Sequence, residues 1–192
     1  ELTGDFNIRG ANITDKIVLG TAQFGMPYGI ANNMGQVTFD EAKVILNLAN
    51  TKRIEIIDTA ISYGESEACL GNVGVENFRI VTKLPPIPEE VLDVDGWIGD
   101  QVDALLRRLK TSTIYGLLLH RSADFSIAKV RTALSCLKGS GKVKNIGVSI
   151  YSPDELARLP ILDGLDVVQA PLNLVDRRLV ESGWLDRLHS CG

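Results

Sequence analysis

Short apolar runs alternate with segments of helical period along most of this chain, and this alternation constrains its fold more than any other feature. Six runs are apolar at nearly every position, which is typical of strands buried on both faces. They cover residues 16–22, 53–59, 78–84, 114–120, 144–150 and 165–171. The pattern predicts six strands.

Amphipathic segments separate these runs and predict six helices. Two of them start with the sequence signature of a capping box, Thr38 with Glu41 and Ser152 with Glu155. The predicted helices are at about 38–50, in a short segment after residue 64, at about 96–110, at about 126–138, in a segment starting at 152, and at about 177–190.

Strands separated by helices predict βαβ units and a parallel sheet, closed as an open doubly wound sheet or as an eight-stranded barrel. Glycines 20, 25 and 29 after the first strand do not match the G-x-G-x-x-G turn of the open sheet. We therefore expect an α/β fold of the (β/α)8 TIM-barrel type, with about six βα units in one partial domain over residues 1–192. Residues 1–15 are expected to form an N-terminal hairpin.

Composition excludes several classes of protein. A formal net charge of -4 and a pI of about 5.2 argue against nucleic-acid binding. No apolar run approaches the ~18 residues of a membrane span, and no signal-peptide pattern is present. The three cysteines fit no metal-ligand spacing. We expect a cytoplasmic protein with reduced thiols and no metal, membrane or nucleic-acid partner.

Polar side chains end three successive predicted strands. Asp58 ends the second strand, Lys83 the third and His120 the fourth, and Tyr63 follows in the loop after Asp58. Each alone has an ordinary structural explanation, such as a turn cap or a hydrogen-bonded core histidine. Neighbouring strands lie about 4.8 Å apart, so the ends of parallel strands converge. The four residues together therefore predict one site.

This set of residues predicts acid catalysis at a carbonyl group. Asp58 would keep Lys83 charged, and the ammonium would lower the pKa of Tyr63 from about 10. Tyr63 could then donate its proton to a carbonyl oxygen, while a neutral His120 hydrogen-bonds the same oxygen. No nucleophile is evident, so hydride from a nicotinamide is the natural electron source.

Six motifs, in this order, resemble the aldo-keto reductases over residues about 16–180. They are GTAQFG, DTAISYGESE, VTKLP, LLLHR, IGVSIYSPDEL and VVQAPLNLVDRRL. The resemblance implies a (β/α)8 barrel and NADPH-dependent reduction of an aldehyde or ketone, with Asp58, Tyr63, Lys83 and His120 as the catalytic tetrad. The GTAQFG opening is most similar to the bacterial oxidoreductase-like branch.

The same resemblance implies residues that bind the cofactor. A serine and a glutamine would hold the nicotinamide carboxamide, and the turn after the first strand would line the cofactor floor. These residues are Ser149 and Gln169 for the carboxamide, and Gly20, Thr21 and Ala22 for the floor. Two positions depart from the family pattern. Ile150 replaces the usual asparagine after the serine, and Leu172 occupies an aromatic position.

Six βα units are fewer than the eight that a complete barrel requires, which is typically about 250 residues. The sequence therefore predicts a truncated barrel that binds NADPH weakly or not at all. An incomplete barrel also leaves two parallel edges and an apolar interior exposed, which predicts self-association through the open edge.

Two other functions remain open at this stage. One is a non-catalytic regulatory or binding scaffold of the same fold. The other is a Schiff-base aldolase with Lys83 as the nucleophile, although the neighbouring Asp58 opposes the low pKa that this role needs. The sequence names neither the substrate nor the choice between NADPH and NADH.

Overall fold

The computed structural model describes residues 16–191, which form one parallel sheet of six strands in chain order. The strands are β1 (Val18–Gly20), β2 (Ile56–Asp58), β3 (Arg79–Leu84), β4 (Ile114–Leu119), β5 (Val143–Ser149) and β6 (Val167–Gln169). Every neighbouring pair is parallel. All six predicted strands are present, and the ends of several are trimmed relative to the apolar runs.

Helices connect the strands throughout the described residues. They are α1 (Ala22–Gly25), α2 (Phe39–Thr51), α3 (Ser66–Val73), α4 (Val94–Leu109), α5 (Ala128–Gly139), α6 (Pro153–Arg158), α7 (Arg178–Glu181) and α8 (Trp184–Ser190), with a 3₁₀ helix (Ser122–Ser126) before α5. Both predicted capping boxes form, at Thr38 and at Ser152.

The predicted last helix, 177–190, is in fact two helices. Gly183 lies between α7 and α8 with a φ of 74°. This left-handed conformation suits glycine and interrupts the helical hydrogen bonds. The predicted hairpin in 1–15 lies outside the described residues.

The hydrophobic core lies between the sheet and the helices. Ile57, Leu117 and Leu119 point outward from their strands and are buried against the helix layer. The longest helix, α4, presents a buried apolar stripe at helical spacing, made of Ile98, Val102, Leu105, Leu106 and Leu109. This layer leaves the opposite face of the sheet free to line an interior.

The sheet curls about that opposite face, which we call the concave face. The Gln169 amide at the end of β6 lies 3.1 Å from a carboxylate oxygen of Asp58 at the end of β2, although three strands separate them. The six strands therefore form a curled half-barrel, as the barrel prediction requires. Among residues 16–191, β1 and β6 each pair with a strand on one side only.

No helix in residues 16–191 is both long enough and apolar enough to cross a lipid bilayer. Cys69, Cys136 and Cys191 are free thiols. The same stretch of chain contains no group of three His, Cys, Asp or Glu side chains able to hold a metal ion.

Candidate active site

Strand register places the predicted catalytic side chains on the concave face. Asp58 is opposite Val81, and Lys83 lies two residues further along β3, so the two side chains point to the same side. Val81 is opposite Gly116, and His120 lies four residues beyond Gly116, directly after the end of β4. The stagger therefore brings Asp58, Lys83 and His120 to one rim.

The same register continues to the last two strands. Gly116 is opposite Asn145, and Ser149 lies four residues beyond it on β5. Ser149 is in turn opposite Gln169 on β6. Both side chains therefore face the side that holds the catalytic candidates.

Lys83 and Asp58 form an enclosed ion pair. The Lys83 Nζ donates to Asp58 Oδ1 at 2.7 Å and to the Thr59 carbonyl oxygen at 3.0 Å. The side chain of Lys83 is 2% exposed and that of Asp58 is 16% exposed. Gln169 Nε2 donates to the same carboxylate oxygen. An ammonium removed from water in this way needs its partners, because an uncompensated buried charge is strongly destabilising.

Tyr63 lies against this pair, but not as the sequence predicts. The Lys83 Nζ is 5.3 Å from the centroid of the Tyr63 ring, and within residues 16–191 no hydrogen bond joins the ammonium to the phenol oxygen. The pKa of Tyr63 is raised to about 12, mainly by burial and to a smaller extent by the Asp58 carboxylate, Tyr28 and Tyr151. The predicted lowering is wrong, because partial burial of the phenol and the neighbouring Asp58 carboxylate both disfavour the phenolate.

His120 completes the set. Its backbone N–H donates to the Leu84 carbonyl at 3.0 Å, and its ring meets the Tyr63 ring edge-on at a centroid distance of 6.4 Å. Its Nδ1 is 3.2 Å from the Ser62 hydroxyl oxygen. Burial lowers the pKa of His120, the Lys83 charge lowers it further, and Asp58 opposes both effects. The imidazole is therefore neutral near pH 7, as the acid mechanism requires.

Two glycines hold the turn that contains Tyr63. A Cβ added to Gly25 in α1 would overlap the Tyr63 carbonyl oxygen and the Ser66 backbone nitrogen. Gly64 has a φ of +54°, and a Cβ there would approach the Gly25 carbonyl oxygen. Only backbone without side chains fits between these segments, so the glycines fix the position of the phenol.

A buried hydroxyl network underlies the site and was not predicted. Ser66 Oγ donates to the Thr21 carbonyl oxygen at 2.8 Å and lies 3.1 Å from Thr59 Oγ1. The Thr21 hydroxyl donates to the Asp58 carbonyl oxygen at 3.0 Å. Thr21 is fully buried, so its side chain supports the strand end and presents no surface to a cofactor floor. The chain order alone gives no signal that Ser66 folds back under the strands.

Other predicted cofactor residues lie at an open surface. A Cβ at Gly20 would meet no heavy atom within 4 Å, so the space beside the end of β1 is free. Ala22 is half-buried at the start of α1, and Ser149 is half-buried beside Gln169. The Ile150 side chain is buried in the core and offers no hydrogen bond. The Ser149 hydroxyl and the Gln169 amide are groups of the kind that can hydrogen-bond a carboxamide.

A cleft at the amino ends of β3, β4 and β5 is separate from this site. Its lining includes Arg79, Tyr115 and Lys144, and none of the four predicted catalytic residues. Both cations lie 5.5 Å from the centroid of the Tyr115 ring, on a rim opposite to the one that holds Lys83.

The curled sheet and its polar carboxyl rim define a protein of the barrel class with a site at the carboxyl ends of its strands. The model of the aldo/keto reductase family matches residues 16–190. The chain belongs to that family, which confirms the resemblance seen in the sequence.

Known relatives agree with this assignment. A 6-dehydroglucose reductase of Novosphingobium aromaticivorans is 28% identical to this chain over an alignment of 198 positions, gaps included. The alignment covers 92% of this chain and 63% of that protein. A Pseudomonas aeruginosa structure assigned to the aldo-keto reductases superimposes with a TM-score of 0.73 at 28% identity, covering 90% of this chain and 69% of the other. A glycerol dehydrogenase of Gluconobacter oxydans gives 0.65 at 26% identity, covering 85% and 53%.

Proposed function

We propose that this chain contains the proton-transfer apparatus of an NADPH-dependent reductase that converts an aldehyde or ketone to an alcohol. One observation supports this most directly: an enclosed Lys83–Asp58 pair lies against the ring of Tyr63 at the strand ends. A phenol held beside a buried ammonium is suited to donate a proton and to tolerate the phenolate that forms.

Tyr63 acts as the general acid. A phenol with a pKa of about 12 keeps its proton at neutral pH, so the acid is always loaded. As negative charge develops on the carbonyl oxygen, the proton passes from Tyr63 to that oxygen. The nearby Lys83 ammonium stabilises the phenolate more than the phenol, which is the differential stabilisation that accelerates a reaction.

His120 supplies the second hydrogen bond to the same oxygen. A neutral imidazole can donate from Nε2 without transferring its proton, and so orient the carbonyl. The two ring centroids are 6.4 Å apart, so one substrate oxygen between the Tyr63 and His120 rings could receive both donors.

Ser149 and Gln169 would hold the cofactor's carboxamide, and Gly20 with Ala22 would border the nicotinamide. When bound, NADPH supplies a hydride to the carbonyl carbon, and the proton from Tyr63 completes the alcohol. The Gln169 amide has a second N–H and an oxygen available beyond its bond to Asp58. Ile150 gives no donor, so one contact implied by the family pattern is absent.

The ion pair disfavours the aldolase alternative. Lys83 Nζ is committed as a donor to Asp58 and to the Thr59 carbonyl oxygen. A Schiff-base lysine must instead present a free lone pair to its substrate.

Turnover tests the proposal. The chain is assayed for NADPH oxidation with small aldehydes and with oxidised sugars, the latter because one relative is a 6-dehydroglucose reductase. Tyr63→Phe is expected to lower kcat by roughly 10²–10⁴-fold. Tyr115→Phe, at the opposite rim, is the matched control and should keep full activity. Undiminished turnover by Tyr63→Phe would exclude the acid role.

Cofactor titration separates catalysis from binding. The residues assigned to NADPH all lie at its nicotinamide end, so we expect weak binding, with a dissociation constant above the low-micromolar range by nicotinamide fluorescence. Gln169→Leu should weaken binding further. Tight binding without any turnover would favour the non-catalytic scaffold instead.

A further inference from the structure

The Ser62 hydroxyl contacts a ring nitrogen of His120, the residue proposed above to hydrogen-bond the substrate oxygen. Its hydroxyl oxygen lies 3.2 Å from His120 Nδ1, and the two residues are 58 positions apart in the chain. Ser62 is exposed and forms no other side-chain hydrogen bond within residues 16–191. The hydroxyl is therefore free to direct its proton at the imidazole.

The direction of this hydrogen bond decides what His120 can do. A neutral imidazole has one N–H and one bare nitrogen. If the Ser62 hydroxyl donates to Nδ1, the ring proton resides on Nε2, and Nε2 can donate to a substrate. If Nδ1–H donates to Ser62, Nε2 becomes an acceptor and would compete for the proton that Tyr63 must deliver.

Chain connectivity links Tyr63 to Ser62, the residue that contacts His120. Ser62 immediately precedes Tyr63, and both belong to the turn that Gly25 and Gly64 hold in place. A single rigid turn therefore places the acid and also the group that contacts its partner imidazole. A shift of this turn would move Ser62 and Tyr63 together. The relative position of Tyr63 and His120 is therefore maintained.

We propose that Ser62 is a positioning residue that donates to His120 Nδ1 and thereby fixes the imidazole as the Nε2–H tautomer, oriented to donate to the carbonyl oxygen. The role in reduction rests on the function proposed above for His120. The tautomer itself is a property of the free protein and can be measured without cofactor, substrate or turnover.

Nuclear magnetic resonance of the ¹⁵N-labelled chain tests this tautomer. The sequence contains two histidines, and His189 on α8 is exposed, so it serves as an internal reference. Long-range ¹H–¹⁵N correlations at neutral pH should show His120 with its proton on Nε2. In Ser62→Ala, the ratio of the Nε2–H to the Nδ1–H tautomer should fall roughly fivefold, the factor that one ordinary hydrogen bond contributes.

Two further variants separate the hydroxyl from general disturbance. Ser62→Thr keeps a hydroxyl and should restore the wild-type His120 signals. Ser112→Ala removes an exposed serine beyond the end of α4 and should leave His120 unchanged. A wild-type Nδ1–H tautomer, or His120 signals that are the same in wild type and Ser62→Ala, would overturn the proposal.

Kinetics distinguish failure of this inference from failure of the proposed function. If both hold, Ser62→Ala lowers kcat about fivefold with little change in KM, and Ser62→Thr recovers it. If the tautomer shifts in Ser62→Ala while kcat stays constant, the positioning role is refuted. If Tyr63→Phe retains activity, the acid mechanism fails, and the tautomer measurement still decides the structural claim.

Discussion

An ion pair joins β2 and β3 at each end of the two strands. Both pairs consist of a basic and an acidic side chain, but they differ in their exposure to water. At the amino ends, Arg79 pairs with Glu55 at 3.1 Å, and both side chains are 55% exposed. At the carboxyl ends, Lys83 pairs with Asp58 at 2.7 Å, nearly removed from water. One pair of strands thus contains a solvated contact and an enclosed one.

This difference shows that the fold loses free energy by desolvating the Lys83 charge, whereas the Arg79 charge stays in water. The Arg79 guanidinium remains hydrated, so its pairing adds little stability. The Lys83 ammonium has lost its water and depends on Asp58 and on the Thr59 carbonyl oxygen. An enclosed cation with a specific partner is a reasonable indicator of a functional site, because desolvation is otherwise unfavourable.

Lys83→Met should have the largest effect on stability and is the strongest test of this contrast. It leaves the Asp58 carboxylate with Gln169 as its remaining charge-stabilising contact, and we expect about 3 kcal/mol of destabilisation. The matched variant at the other end of the strand, Arg79→Met, should cost less than about 1 kcal/mol. Urea unfolding of both variants measures the two values. Equal losses would show that enclosure does not distinguish the pairs.

Gly25→Ala should have the next largest effect, because it probes how tightly the carboxyl rim is packed. The new Cβ meets backbone atoms of Tyr63 and Ser66, which cannot move aside as a flexible side chain would. We expect roughly 2 kcal/mol of destabilisation. Gly99→Ala in α4 is the matched control, since its Cβ would meet no atom within 4 Å. That variant should gain about 0.5–1 kcal/mol from helix propensity.

A stable Gly25→Ala variant would contradict the packing argument. It would mean that the α1 turn and the Tyr63 turn can separate without loss of stability, and that the turn does not hold the phenol rigidly. Loss of stability in Gly99→Ala would instead point to a general intolerance of added methyl groups.

The fold was predictable because its signals are local. Runs buried on both faces, capping boxes at Thr38 and Ser152, and the strand–helix alternation each depend on a few neighbouring residues. The break between α7 and α8 was missed because the apolar pattern continues across Gly183, and only the backbone conformation there reveals the interruption. Strand lengths were overestimated for a similar reason, since apolar residues continue past the last ladder hydrogen bond.

The site was predictable in part because side chains at strand ends converge by register. Asp58, Lys83 and His120 needed only parallel order and alternation to be placed together. The contact between Gln169 and Asp58 depends on how strongly the sheet curls, and no residue pattern encodes that distance. The pKa of Tyr63 depends on desolvation, which requires knowing what covers the ring.

Titration of Tyr63 tests the electrostatic half of the contrast, with a smaller expected effect. The folded-state pKa of about 12 lies above the ordinary value near 10. Stability owed to the neutral phenol is therefore present below about pH 10 and declines as the pH rises through 12. Tyrosinate absorbance of wild type minus Tyr63→Phe should show a step near 12. The difference spectrum for Tyr115→Phe serves as control. A Tyr63 step below 10 would restore the lowered pKa predicted from sequence.

The contrast between enclosed and exposed groups extends from the strand ends to the sheet edges, where we expect the smallest effect. Within residues 16–191, β1 pairs only with β2 and β6 only with β5, so each has an outer edge without a strand partner. Ile17 and Val18 beside the first edge are 43% and 46% exposed. Edges of this kind favour strand pairing between molecules.

Sedimentation velocity over a range of concentrations should therefore show weak self-association. Val18→Lys places an inward-pointing charge on the concave face at this edge, a device that opposes edge pairing, and it should shift the equilibrium toward monomer. Lys16→Glu is the comparison variant, because it alters charge at an already polar exposed position without affecting the apolar edge. If wild type sediments as one monomeric species at every concentration, the edge strands do not pair between molecules in solution. The exposure of Ile17 and Val18 would then not predict self-association.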